Sequence, residues 1–79
     1  MLTIKVRYFA MLREQKGCAE EPIQCASGTT VSELYLQLFP EKGPEQIRVG
    51  FAVNLNQVGS DTVLEEGDEV AFLPPLGGG

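Results

Sequence analysis

The residues best suited to chemistry in this chain are its last seven, Leu73-Pro74-Pro75-Leu76-Gly77-Gly78-Gly79, which follow directly on an apolar run. Glycine has no Cβ and admits close approaches closed to other residues, so a terminal carboxylate on a glycine strip can be threaded into another protein's active site. Pro74 and Pro75 fix φ and favour an extended path of roughly 3.1 Å per residue, so the strip is expected to project from the body. Glycine-rich chain ends are ordinarily frayed, or left behind by cloning. Here the glycines continue a Pro-Pro lever out of an expected strand, which favours a working tail.

A free carboxylate is a poor electrophile until one of its oxygens becomes a good leaving group. The sequence has no histidine, no nucleophile constellation and no phosphate-cradling loop with which to activate it. Catalysis must come from outside, and this chain carries the reacting group.

A length of 79 residues, 43% of them hydrophobic, makes one globular domain with a modest core. We place the domain at residues 1–73 and a flexible tail at 74–79. A net charge of −5 gives no reason to bind phosphate backbones or anionic lipid. Nucleic acid is disfavoured as a partner, and a protein presenting basic groups is favoured. Cys18 and Cys25 fit neither a redox pair nor a zinc knuckle, so no metal site is expected. Cys25 alternates with Ile23 as a small buried residue would, which favours two reduced thiols over one disulfide. Met1 to Arg7 alternates instead of forming an apolar signal core, and no stretch is long enough to span a membrane. A cytoplasmic protein is expected.

The tail needs a body to present it. Leu2, Ile4, Val6 and Tyr8 share one parity and Thr3, Lys5, Arg7 and Phe9 the other, the period-two pattern of a half-buried strand. Ala10 to Lys16 suits a short helix stopped by Gly17. Glu21 to Cys25 reads as a strand, with Pro22 suggesting its start or a sheet edge. Thr30-Val31-Ser32-Glu33 matches a capping box, followed by Val31, Leu34, Tyr35 and Leu38 at helical spacing and closed by Pro40. Glu41 to Glu45 reads as loop. Phe51 to Leu55 and Val58 flank a tight turn expected around Asn56-Gln57. Leu64 to Asp68 is a turn requiring Gly67. Glu69 to Leu73 is the last strand, with Val70 and Phe72 inward and Ala71 and Leu73 outward. This order suits a two-layer α+β design, a mixed sheet on one main helix with the first and last strands side by side.

Ala52-Val53-Asn54, the segment Leu64-x-x-Gly67-Asp68-Glu69-Val70-Ala71-Phe72, Pro74-Pro75 and terminal Gly78-Gly79 together resemble the sulfur carrier subunits of molybdopterin synthase (MoaD type). The opening strand with Phe9-Ala10 and Arg13-Glu14 is also similar. The resemblance runs nearly end to end; Gly-Asp-Glu-Val alone is shared across ubiquitin-like carriers, and its spacing to the Pro-Pro and Gly-Gly pairs makes it specific. It implies a ubiquitin-like β-grasp fold and a carrier role. In that family an ATP-dependent, E1-like adenylating enzyme converts the terminal carboxylate to an acyl-adenylate. Sulfur from a persulfide donor replaces AMP, leaving a thiocarboxylate. The large subunit, in a heterotetramer of two small and two large chains, takes in the tail, and the sulfur passes to cyclic pyranopterin monophosphate to build the dithiolene. Carried over, Gly79 bears the adenylate and thiocarboxylate and Gly78 keeps the tail thin. No tightly bound cofactor is implied, only the transient AMP adduct and the sulfur.

Docking needs a surface as well as a tail. Phe9 and Leu73 fall on the outward parity of strands that should be neighbours, and with Pro74, Pro75, Leu76 and Gly77 they form the expected partner-binding set. The plainer alternative for Phe9 is cover by the short helix that follows. The acidic run Glu65, Glu66, Asp68 and Glu69 could steer basic partners, although a solvated turn is the default. The chain departs from the family at Leu73, where phenylalanine is common, at Gln57, where an apolar residue often joins the interface, and at Gly77, which adds a third glycine. The alternatives are a sulfur carrier for thiamine thiazole synthesis, a ubiquitin-like modifier joined to lysines, and a β-grasp interaction module with an inert tail. Two cysteines exclude an iron–sulfur β-grasp protein.

Overall fold

The computed structural model describes residues 1–41 and 49–73. Strand β1 (Leu2–Arg7) alternates as its sequence demands, with Ile4 and Val6 buried and Thr3, Lys5 and Arg7 exposed; Tyr8, just beyond, is buried on the same parity. Helix α1 (Ala10–Lys16) stops at Gly17, whose φ of +73° is left-handed and whose N–H donates to the Arg13 carbonyl at 2.9 Å. Strand β2 (Glu20–Cys25) runs antiparallel to β1 at the sheet edge, where Pro22 removes no ladder bond from an inner strand.

Helix α2 (Val31–Leu38) opens on the expected reciprocal cap. Thr30 Oγ1 accepts the Glu33 N–H at 3.2 Å, and Glu33 Oε1 accepts the Thr30 N–H at 2.9 Å. At the other end, Lys16 Nζ donates to the Leu38 carbonyl at 2.9 Å and lies 5.0 Å from the Phe39 ring centre. That places a cation at the negative end of the helix dipole and ties α1 to α2. Replacing Thr30 with alanine removes one half of the cap. We expect a loss of about 1 kcal/mol, or roughly 4–8 °C in Tm for a domain of this size, measurable by thermal denaturation.

Strands β3 (Gly50–Val53), β4 (Asn56–Val58) and β5 (Glu69–Leu73) complete a five-stranded sheet in the order β2-β1-β5-β3-β4. β1 and β5 are parallel neighbours in its middle, with Val6 opposite Val70 and Arg7 opposite Ala71. The remaining pairs are antiparallel. Val31, Leu34 and Tyr35 of α2 pack with Ile4, Val6, Phe51, Val70 and Phe72 of the inner sheet face in one core. The Tyr35 ring lies 5.1 Å from Phe72 and from Phe39, and 6.3 Å from Phe51, giving the core an aromatic centre. This is the β-grasp architecture expected from the sequence, a mixed sheet folded around one main helix.

Three details differ from the sequence-based expectations. The β3–β4 turn is at Asn54-Leu55, with φ of +51° and +72°, whereas Asn56 and Gln57 are ladder residues opposite Val53 and Ala52. Asn54 decides its position: its side chain accepts the Glu69 N–H at 3.0 Å and donates to Asp68 Oδ1 at 2.9 Å, while its own N–H donates to the Glu69 carbonyl at 2.8 Å. Such a clamp can form at only one register. Second, Phe39 is buried where α2 ends, and Leu38 is only half-buried. Third, the segment before Leu64 is paired to the start of α2. Thr30 bridges Val63, the Val31 N–H donates to the Thr62 carbonyl at 3.0 Å, and the Leu64 N–H donates to Thr29 at 2.9 Å, which buries Leu64.

Cys25 is buried and Cys18 half-buried, and both are free thiols. Glu41 lies in a turn; the rest of the expected loop, residues 42–45, is outside the described residues, as is the tail 74–79.

Candidate functional site

The face of the sheet opposite α2 carries the outward parities of β1, β5 and β3. Because β1 and β5 are parallel with Arg7 beside Ala71, the same alternation carries Phe9 to the level of Leu73. On the other side of β5, Ala52 stands directly opposite Ala71. Two methyl groups side by side leave a hollow among larger neighbours. A concavity of about 420 Å³ results, lined by Ala52 and Ala71 together with Arg7, Phe9, Leu55, Gln57, Glu69 and Leu73.

Phe9 is 43% exposed in an extended conformation at the start of α1, so the helix does not cover it. Leu73 is half-buried beside it. The structure therefore brings together Phe9 and Leu73, the two body residues singled out by their parity. Pro74, Pro75, Leu76, Gly77, Gly78 and Gly79 lie outside the described residues. Ala52, Ala71 and Leu55 were not singled out as site residues. Ala71 carries an outward-parity signal, but its pairing with Ala52 depends on a register that no local pattern encodes.

Charge crosses this face as a line of exposed pairs. Lys5 Nζ lies 3.6 Å from Glu20, Arg7 Nε lies 3.5 Å from Glu20, and Arg7 Nη1 donates to Glu69 Oε2 at 3.3 Å. Each contributes little to stability in water, but together they leave Arg7 neutralised on the rim of an apolar hollow.

The acidic turn is mostly occupied by structural duties. Glu66 Oε1 accepts the Thr3 N–H at 3.0 Å, and Asp68 Oδ2 accepts the Glu65 N–H at 2.8 Å while its other oxygen receives Asn54. Gly67 turns the chain at φ +83° and donates its N–H to Thr3 at 2.9 Å. These bonds dock the turn onto β1 and fix where β5 starts.

Beneath the face, the Tyr8 hydroxyl donates to Glu21 Oε2 at 2.6 Å. Burial first, and then the Glu21 hydrogen bond and charge, push the phenol well above its usual range. The native state keeps this proton when the unfolded chain would release it near pH 10. Stability from Tyr8 is therefore complete below about pH 10 and falls as pH rises further, because the native state then binds more protons than the unfolded one. Denaturation midpoints measured at mildly and strongly alkaline pH should drop less steeply in Tyr8→Phe than in the parent chain.

Among the described residues, no group of His, Cys, Asp and Glu is arranged to hold a metal ion, and no helix is long and apolar enough to cross a membrane. What the site offers is an apolar hollow at the root of a glycine-ended segment.

The ThiS family pattern matches residues 6–79. The chain is 39% identical, over an alignment covering the whole of both chains, to the molybdopterin synthase sulfur carrier subunit of Mycobacterium tuberculosis. Its fold is similar to the small archaeal modifier protein 1 of Methanosarcina acetivorans, with 31% identity, 100% of this chain and 98% of that one covered, and a TM-score of 0.74. It is also similar to a chain in the complex of subunits 1 and 2 of molybdopterin-converting factor from Helicobacter pylori, with 26% identity, 99% and 100% of the two chains covered, and a TM-score of 0.63.

Proposed function

This chain belongs to the ThiS family, and from that premise we propose that it is a sulfur carrier in molybdenum cofactor biosynthesis, the small subunit of a molybdopterin synthase. The single observation that carries this is whole-length similarity to a molybdopterin synthase sulfur carrier in a chain whose β5 runs directly into Pro74-Pro75 and Gly77-Gly78-Gly79.

The chemistry is that of a carrier whose sequence has no histidine to act as a general base. An E1-like enzyme uses ATP to join AMP to the Gly79 carboxylate, releasing pyrophosphate. The outer sulfur of a persulfide donor then displaces AMP at the acyl carbon, giving an acyl disulfide. A second thiol of the donor cleaves its S–S bond, leaving the thiocarboxylate on Gly79 and a disulfide on the donor. The large subunit receives the tail, with Gly78 and Gly77 thin enough for a narrow channel, and the sulfur moves to cyclic pyranopterin monophosphate. Phe9, Leu73, Pro74, Pro75 and Leu76 dock the carrier. Two carriers and two large subunits make up the working assembly, in the cytoplasm.

The similarity to an archaeal modifier protein favours a second reading, conjugation of Gly79 to lysines, alone or beside sulfur transfer. Intact-mass measurement after incubation with the activating enzyme, ATP and a sulfur donor separates the possibilities. Exchange of one terminal oxygen for sulfur supports the carrier and lysine conjugates support the modifier. An unchanged mass contradicts both.

A further inference from the structure

Leu55 is 87% exposed at the tip of the β3–β4 hairpin, and its φ of +72° lies where a branched apolar side chain is disfavoured. Glycine or asparagine would relieve the backbone, and any polar residue would relieve the exposure. Leu55 belongs neither to the core nor to the partly buried residues packed around it. The conformation is nevertheless held firmly, because Asn54 is bonded three times to Asp68 and Glu69 at the start of β5. A strained residue so firmly held, with no role in the interior, points to a function outside it.

The position says which function. Leu55 lines the same concavity as Phe9, Ala71 and Leu73. Leu73 immediately precedes Pro74, so this face lies at the root of the segment that ends in Gly79. We infer that Leu55 is a docking anchor for the large subunit that receives the tail, its side chain held clear of the sheet to enter an apolar pocket of that subunit. This role rests on the carrier function proposed above. The net charge of −5 on this chain calls for basic groups on the receiving surface. The hairpin's two left-handed residues and the Asn54 clamp fix the anchor before contact, so little ordering is needed on binding.

Calorimetric titration of the purified large subunit with the parent chain and with Leu55→Gly, Leu55→Asn and Leu55→Met tests the assignment. Leu55→Gly and Leu55→Asn should each bind about ten-fold or more weakly, while Leu55→Met, which keeps an apolar side chain, stays within about three-fold. Thermal unfolding of the glycine variant should occur at the same temperature or a few degrees higher, since backbone strain is removed. Unchanged affinity in both Leu55→Gly and Leu55→Asn would overturn the anchor alone, and a marked fall in the glycine variant's Tm would contradict the strain on which it rests. Failure of the parent chain to bind would overturn the carrier function, and the anchor with it.

Discussion

Removal of Gly79 alone should reduce sulfur transfer to background and leave the melting temperature of the protein unchanged. The reacting carboxylate would then sit on Gly78, one residue short of the activated carbon, and misplacement on this scale is expected to cost on the order of 10²-fold or more in rate. The folded body is not expected to depend on that residue: among the described residues, the buried core runs from Ile4 to Phe72. Affinity for the large subunit should fall far less than the transfer rate, because Phe9, Leu55 and Leu73 are untouched. Comparable transfer by the truncated and parent chains would show that Gly79 does not bear the sulfur.

The second large effect is structural. Phe72 is fully buried, its ring 5.1 Å from Tyr35 and 5.9 Å from Phe51. Phe72→Ala should destabilise by about 3–5 kcal/mol through lost transfer energy and the cavity left behind. Small domains hold only about 5–15 kcal/mol in total, so the variant should lose a large share of its stability. Denaturant titration checks this directly. A loss below about 1 kcal/mol would mean that the aromatic centre is not as closely packed as its ring distances require. The consequence reaches the site, since Phe72 adjoins Leu73 in β5 and its seating in the core holds the strand that carries Ala71 and Leu73.

Much of this fold was legible because several signals act locally. The alternation of Leu2 to Tyr8, the Thr30/Glu33 cap and the left-handed stop at Gly17 each depend on residues a few positions apart. The two-residue displacement of the hairpin turn has the opposite origin. Asn54 is fixed by Asp68 and Glu69, fourteen and fifteen residues away, and nothing within the segment from Phe51 to Val58 announces that clamp. The pairing of residues 60–64 with the start of α2 was missed for the same reason. At the site, parity alone brought Phe9 and Leu73 together, since outward faces follow from period two. The hollow between them required the Ala52–Ala71 register and was not visible in either strand alone. Leu55 is the sharpest instance, because an ordinary leucine in the sequence becomes notable only once its φ is known.

Fragmentation mass spectrometry can locate the transferable sulfur on the activated protein, before and after mixing with the large subunit and cyclic pyranopterin monophosphate. One oxygen should be replaced by sulfur at Gly79, and the exchange should reverse as dithiolene product forms. Product formation with the sulfur found instead as a persulfide on Cys18 or Cys25, and Gly79 unmodified throughout, would contradict it.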